Sequence, residues 1–345
     1  MFRLYFHKIK SYLGRIVQWL QNIVKLKYYG FNNFLIEISG CCNSKCKYCC
    51  TGSGNHITET KFMKAETFEN VIKHLIRIRV MPRSFSYIDC FSWGEPFLNP
   101  ELNEILAIAG KYNKKINISS NFIKFPSQIS KENYSNIGHV IFSLCSLDEE
   151  KYRYMYNADL KKTLDNFDNF LELRSKYNPS IGIVVYFIQY KFSQNEQPKV
   201  IEYFEKQRNI TVNKNYMAGI SDGYASMKFI ETGIIEGYDF HKITKDIDLE
   251  RMQYLFKYYA KKGVKCPLKS QLTINESSQL CLCVVVTSKN KEYNLGNILE
   301  MSKSEILEAN NTQKLCNYCE ELKIPWWVKN GCKYIIDESE LPEKS

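Results

Sequence analysis

Three cysteines within eight residues, Cys42, Cys46 and Cys49, are where this 345-residue chain first gathers side chains that could do chemistry. The segment reads Cys42-Asn43-Ser44-Lys45-Cys46-Lys47-Tyr48-Cys49, and its thiolates can wrap one metal centre. A structural zinc or a closed iron–sulfur cluster normally takes a fourth ligand, so three leave one metal position open for substrate or cofactor. Cys41 and Cys50 flank the set, and by spacing alone either could serve as the fourth. A second group fills the C-terminal quarter: Cys266, Cys281, Cys283, Cys316, Cys319 and Cys332. Only Cys90 and Cys145 lie between, each in an apolar run where a buried structural thiol is expected. Thirteen cysteines in a chain this long, with no secretory signal expected, point to metal in a reducing compartment rather than to a disulfide scaffold. The cytoplasm is the location that follows.

The elements that must position these groups alternate. Phe34–Ile38 reads as a strand leading into the cysteine loop, followed by a helix near Lys64–Ile78. Further strands are expected at Ser86–Phe91, Lys115–Ser119, Val140–Cys145, Ile181–Ile188 and Asn209–Asn213. Helices are expected after Asn99-Pro100, near Leu160–Lys176 and near Gln197–Lys206. Strand–helix alternation argues for a parallel sheet covered by helices, about six βα units curling into an incomplete barrel. Asp222–Asp248, with three glycines and little periodicity, reads as a linker or substrate-facing segment. A helix near Leu249–Lys262 follows, then a hairpin from Gln271–Asn275 and Gln279–Thr287 and a short helix at Ser302–Asn310.

At the N-terminus, Phe2, Phe6, Ile9, Leu13, Ile16, Leu20 and Ile23 share one helical face in a stretch without acidic residues before Glu37. This basic amphipathic helix either lies on an anionic membrane surface, at the inner face of the membrane, or packs on the protein body or a second copy. No window is apolar enough to span a bilayer. The net charge of +10 suits a Lys-rich surface, and no stacked-aromatic or groove-reading motif supports nucleic-acid binding.

The cysteine loop, with aromatic Tyr48 just before the third cysteine, resembles the radical SAM family. So does Trp93-Gly94-Glu95-Pro96 directly after the second expected strand, where the family holds the amino group of S-adenosylmethionine. Ser119-Ser120-Asn121 closes the third strand, where the family places small polar residues against the sugar or methionine part. Ser143 in the fourth strand and Arg153 ten residues on stand where the family often has a serine and a base facing the methionine carboxylate. All fall at C-terminal strand ends, the rim on which a barrel of this kind gathers its site.

The resemblance implies an α/β fold, a partial (β/α)6 TIM-like barrel with a small cysteine-rich α+β extension. It implies that Cys42, Cys46 and Cys49 hold a [4Fe-4S] cluster whose open iron chelates S-adenosylmethionine. Reductive cleavage would then give a 5′-deoxyadenosyl radical that abstracts hydrogen from substrate. The cofactor contacts would come from Tyr48, Gly94, Glu95, Ser119, Asn121, Ser143 and Arg153. The C-terminal cysteines resemble the SPASM-type extension, which implies one auxiliary [4Fe-4S] cluster on Cys266, Cys283, Cys316 and Cys319, with Cys281 and Cys332 as spares. Ser278 stands where that extension has a glycine, five positions before Cys283. A structural zinc on the same four thiolates remains the alternative.

The expected organisation is an N-terminal helix at 1–30, a core at 31–220, a linker or substrate-facing segment at 221–262 and the auxiliary domain at 263–345. Relatives with such an extension act on peptides or proteins, or on sugars and alcohols. A low-potential donor such as flavodoxin or ferredoxin would supply electrons. A non-catalytic iron–sulfur carrier and a zinc-bearing RNA-binding or RNA-modifying protein are the other classes the cysteines allow.

Overall fold

The computed structural model describes residues 29–54, 61–126, 129–216, 223–234, 240–249, 257, 260–286, 293–311, 314–326 and 328. The amphipathic N-terminal helix, most of the helix expected at Leu249–Lys262, and Cys332 lie outside these. Among the described residues, no helix is long and apolar enough to cross a membrane.

Nine strands form one sheet in the order β6-β5-β4-β3-β2-β1-β7-β8-β9. They are β1 (Asn33–Ile36), β2 (Tyr87–Asp89), β3 (Lys115–Ser120), β4 (Ile137–Leu144), β5 (Gly182–Gln189), β6 (Thr211–Tyr216), β7 (Gln271–Ile274), β8 (Gln279–Cys281) and β9 (Asn294–Asn297). Every pairing from β6 through β1 to β7 is parallel, while β7-β8-β9 is an antiparallel meander. Helices α1 (Ala65–Arg77), α2 (Leu102–Lys111), α3 (Glu149–Tyr156), α4 (Leu160–Tyr177) and α5 (Gln197–Ile201) return the chain between strands. Parallel strands require such crossovers, which is why the rhythm was visible in the sequence.

Local chemistry sets the helix ends. Asp148 caps α3 by accepting from the Glu150 and Lys151 amides, and Asp159 caps α4 from the Lys162 amide at 2.7 Å. The α1 N-terminus is capped from outside, the Ala65 amide donating to Glu101 at 2.8 Å. Lys114, almost fully buried, donates its ammonium to the Arg83 and Phe85 carbonyls at 2.7 and 2.5 Å, fastening the turn before β2 to the start of β3.

The strands alternate in burial. Ile116, Ile118, Val140, Phe142, Val185 and Phe187 are wholly buried. Asn117, Ser119, Ile141, Ser143, Val184 and Tyr186, on the opposite face, are only partly so. That second face is polar: the Asn33 and Asn117 amides both donate to Asp89. On the buried face Phe122 is ringed by Phe97, Phe142 and Phe167 at 5.0–5.3 Å between centroids. Phe122 itself sits at φ 55°, a costly conformation for a bulky side chain that this packing holds in place.

Four expectations need correction. β2 is shorter than Ser86–Phe91. β6 starts at Thr211 rather than Asn209, because Asn209 turns the chain at φ 53°. Asp222–Asp248 is no bare linker, since it carries α6 (Gly223–Thr232) and α7 (Phe240–Asp246). The hairpin's second strand ends at Cys281, and residues 282–286 turn away before β9. Helices α8 (Lys303–Asn311) and α9 (Lys314–Glu321) complete the extension, which adds to the β1 edge of the main sheet.

Phe142→Ala should lower stability by about 3–5 kcal/mol, because it empties a site packed by Phe122, Phe167 and Phe204. Urea unfolding measures this, and a loss under about 1 kcal/mol would show that the aromatic layer does not hold the sheet.

Candidate active site

The cysteine loop leaves β1 and is tied down by main-chain bonds. The Lys45 amide donates to the Tyr156 carbonyl at the end of α3, and the Cys49 amide to the Cys46 carbonyl. Gly52 lets the loop close on itself, for a Cβ there would lie 2.4 Å from the Cys46 nitrogen. The Ser44 amide and the Asn121 side-chain amide both donate to Cys42 Sγ at 3.4 Å, and Ser44 Oγ lies 2.9 Å from Cys46 Sγ. Burial, and then Glu95, push the Cys42 thiol up to about 12. Burial likewise raises Cys46, with Cys49 and Cys42 adding to the shift, so the three thiols share one electrostatic environment. Cys41 Sγ lies 3.9 Å from Ser39 Oγ, and Cys50 is fully buried against Thr51.

Trp93-Gly94-Glu95-Pro96 packs directly on this loop. A Cβ on Gly94 would fall 1.8 Å from the Ser39 carbonyl oxygen and 2.9 Å from that of Cys41. Glycine is needed here for backbone to approach backbone. The Glu95 amide donates to the Cys41 carbonyl at 2.8 Å.

The Glu95 carboxylate is buried and occupied from within. One oxygen accepts from the Phe97 amide at 3.0 Å and the other from the Asn121 amide at 2.8 Å. Burial pushes this carboxyl up to about 7 against the pull of those amides and of Ser120. Its role is to hold the ends of β2 and β3 together, and to aim Asn121 at Cys42 and at Asn43 Oδ1, 2.9 Å away.

A residue the motifs did not flag does parallel work. Glu37, just past β1, accepts from the Trp93 and Gly94 amides at 2.6 and 2.9 Å through one oxygen. Burial first, then Glu276 nearby, push its carboxyl up to about 8, against the two amides. The signal was a lone acid inside the apolar run Phe34-Leu35-Ile36-Glu37-Ile38.

Ser119 and Ser143 lie on the partly open polar face of β3 and β4. Tyr48 is buried, and its hydroxyl donates to Asp246 on α7 at 2.5 Å. Arg153 is not brought into this group. Its guanidinium pairs with Glu149 one turn back on α3 at 2.8 Å, and its side chain is 62% exposed.

A second group forms in the extension. Cys266, Cys283, Cys316 and Cys319 line one cavity with Met227, Leu282, Val286 and Leu315, and a Lys269–Glu320 ion pair of 3.2 Å borders it. Cys316 and Cys319 sit three apart on α9, hence on one face. Burial raises Cys283 and Cys319 to about 12, each also raised by its neighbouring thiols. Cys281 stands elsewhere, its Sγ donating to the Gln279 carbonyl and Asn294.

Thiol groups in such apolar settings are the donor set of iron–sulfur ligation, and N–H···S bonds like those on Cys42 stabilise a metal-bound thiolate. Both groups therefore fit a cluster by the chemistry of their donors. Among the described residues, no group of three or more Cys, His, Asp or Glu side chains is closed on a single metal ion.

Glu37→Gln keeps an oxygen for both amides and removes the ionisation, whereas Glu37→Ala frees the Trp93–Glu95 turn. Because the folded carboxyl titrates near 8 and an exposed one near 4.5, the wild type loses stability relative to Glu37→Gln as pH rises from about 5 to 8. Thermal melts across that range check this; parallel curves would contradict it. Gly94→Ala should displace the cysteine loop and lower bound iron at least severalfold.

Residues 36–191 match the model of the Radical SAM superfamily. No curated protein matches the chain by sequence. Among solved structures, native anSMEcpe with bound AdoMet is similar at 16% identity and TM-score 0.54, with 85% of this chain and 88% of that one covered. The same protein with AdoMet and Cp18Cys peptide aligns at 16% identity and TM-score 0.53, over 85% of this chain and 87% of that one. Streptococcus suis SuiB bound to precursor peptide SuiA aligns at 15% identity and TM-score 0.54, over 86% of this chain and 69% of that one. The family match falls on the strands and loops that carry the three cysteines and Gly94-Glu95, so residues 36–191 are the part of the chain that matches the radical SAM superfamily, whose cofactors are a [4Fe-4S] cluster and S-adenosylmethionine.

Proposed function

We propose that this chain is a radical SAM enzyme acting on a peptide or protein, with one cluster on Cys42, Cys46 and Cys49 and an auxiliary cluster on Cys266, Cys283, Cys316 and Cys319. The observation that carries the reading is the joining of the cysteine loop to the Gly94-Glu95 turn and to Asn121 through the buried Glu95 carboxylate. When bound, the reduced first cluster supplies the electron that cleaves S-adenosylmethionine, and the resulting 5′-deoxyadenosyl radical takes hydrogen from substrate.

The chain's own part is placement and exclusion of water. Cys42, Cys46 and Cys49 would hold the cluster and leave one metal position for the cofactor. Since the Glu95 carboxylate accepts from the Phe97 and Asn121 amides, the carbonyls of the Trp93–Glu95 turn would be the acceptors for the cofactor's ammonium. Ser119 and Ser143, on the polar face, would meet its sugar and carboxylate. Tyr48 would supply an aromatic wall. Arg153, paired with Glu149, is left out of this set.

The peptide assignment follows the two relatives seen with a Cp18Cys peptide and with precursor peptide SuiA. The core would run over 31–220 and the auxiliary domain over 263–345, with α6 and α7 between them. Flavodoxin or ferredoxin would be the electron donor. The apolar lining of the second cavity suits a cluster shielded from solvent, able to take back an electron and make the net reaction an oxidation.

The test is anaerobic. After reconstitution and reduction, the full chain should hold about eight irons and form 5′-deoxyadenosine from S-adenosylmethionine. Changing Cys42, Cys46 and Cys49 to Ala should abolish product and leave about four irons. Changing Cys283 and Cys319 to Ala should also leave about four irons, but keep cofactor cleavage. Peptides should stimulate product; stimulation by sugars or alcohols alone would reassign the substrate. Stoichiometric zinc in place of iron would contradict the whole reading.

A further inference from the structure

Asp246 stands outside every motif in the sequence, in the segment that reads there as a linker or substrate-facing segment. It ends α7 and is 5% exposed. A carboxylate so buried needs donors, and two tyrosines from separate elements supply them to one oxygen. Tyr48, beside the last cysteine of the loop, donates at 2.5 Å, and Tyr154 on α3 donates at 2.8 Å. A third tie holds the same helix, Lys191 Nζ donating to the Thr244 carbonyl at 2.8 Å.

The Tyr48 ring is buried in the main core. Tyr190 lies 6.1 Å away between centroids and is tilted by 42°, and Tyr190 in turn stacks on Phe192 at 5.3 Å. A charge-assisted hydrogen bond at the far end of the side chain adds direction to that packing. The bond to Asp246 ties the hydroxyl end of Tyr48, beside Cys49, to α7.

We propose that Asp246 is a positioning residue for the cofactor: by fixing Tyr48 it shapes the wall against which S-adenosylmethionine binds, and it makes α7 part of that wall. The inference rests on the radical SAM reading. Its consequence is that a substrate contacting α7 reaches the cofactor wall through the Asp246–Tyr48 bond. The same stretch of chain also reaches the auxiliary site, where Met227 of α6 lines the cavity and Tyr318 donates to Glu231. A segment bonded at both centres is suited to couple substrate binding to cofactor cleavage.

The experiment uses the full, cluster-loaded chain and measures S-adenosylmethionine affinity from the change it produces in the spectrum of the reduced cluster, alongside iron content. Asp246→Ala and Tyr48→Phe should each weaken binding about tenfold with iron unchanged. The double variant should be no weaker than either single within about twofold, because both remove the same bond. Asp246→Asn, whose amide oxygen still accepts, should bind within about threefold of wild type. If Asp246→Ala loses iron, Tyr48→Phe removes the bond from the other side and decides the matter. Wild-type affinity in Tyr48→Phe, or effects that multiply in the double variant, would overturn the proposal. A wild type that holds its clusters and binds no S-adenosylmethionine would overturn the radical SAM reading, and this inference with it.

Discussion

The rim depends on buried carboxylates that accept main-chain N–H groups across strand ends. Parallel strands leave their C-terminal amides unpaired, and burying such groups without partners costs free energy. Glu37 takes the Trp93 and Gly94 amides, and Glu95 takes those of Phe97 and Asn121. Together they lock the ends of β1, β2 and β3 into one edge, on which the cysteine loop rests. Both acids are almost fully buried, and that burial raises them well above the usual carboxylate range.

That edge extends into the C-terminal region without a break. β7 pairs in parallel with β1 over four residues, and Cys281 on β8 and Glu276 after β7 both lie close enough to Glu37 to interact with it electrostatically. The strands leading to the second thiol group are thereby held in register with the strand leading to the first. Two thiol groups carried on segments that flank one hydrogen-bonded sheet can keep a fixed separation, which electron transfer and substrate placement both need.

Much of this was legible in the sequence. The six-strand rhythm and the cysteine spacing carry physical signatures, a crossover helix after each parallel strand and thiolates within reach of one centre. The four C-terminal cysteines named from the resemblance to the SPASM-type extension line one cavity. Less legible were contacts that span the chain. Gly94 reads as a site for ligand approach, yet it is required by the Ser39 and Cys41 carbonyls, and only the fold brings these together. Glu95 reads as a cofactor contact, and its carboxylate proves to be an internal clamp. Arg153 matched by position in sequence, but a helix sends it toward Glu149 and solvent. Asp246 carries no local pattern, and Glu37 shows only as a lone acid in an apolar run, because a buried acid is explained by the distant donors it meets.

The central claim is that three thiolates on this rim leave one iron open to S-adenosylmethionine. The most direct measurement is magnetic resonance of the reduced chain, with Cys283 and Cys319 changed to Ala so that only the first cluster is seen, and with S-adenosylmethionine labelled by 15N at its amino group. Hyperfine coupling between that nitrogen and the cluster is the result the account predicts. An unaltered cluster spectrum at saturating S-adenosylmethionine would contradict it.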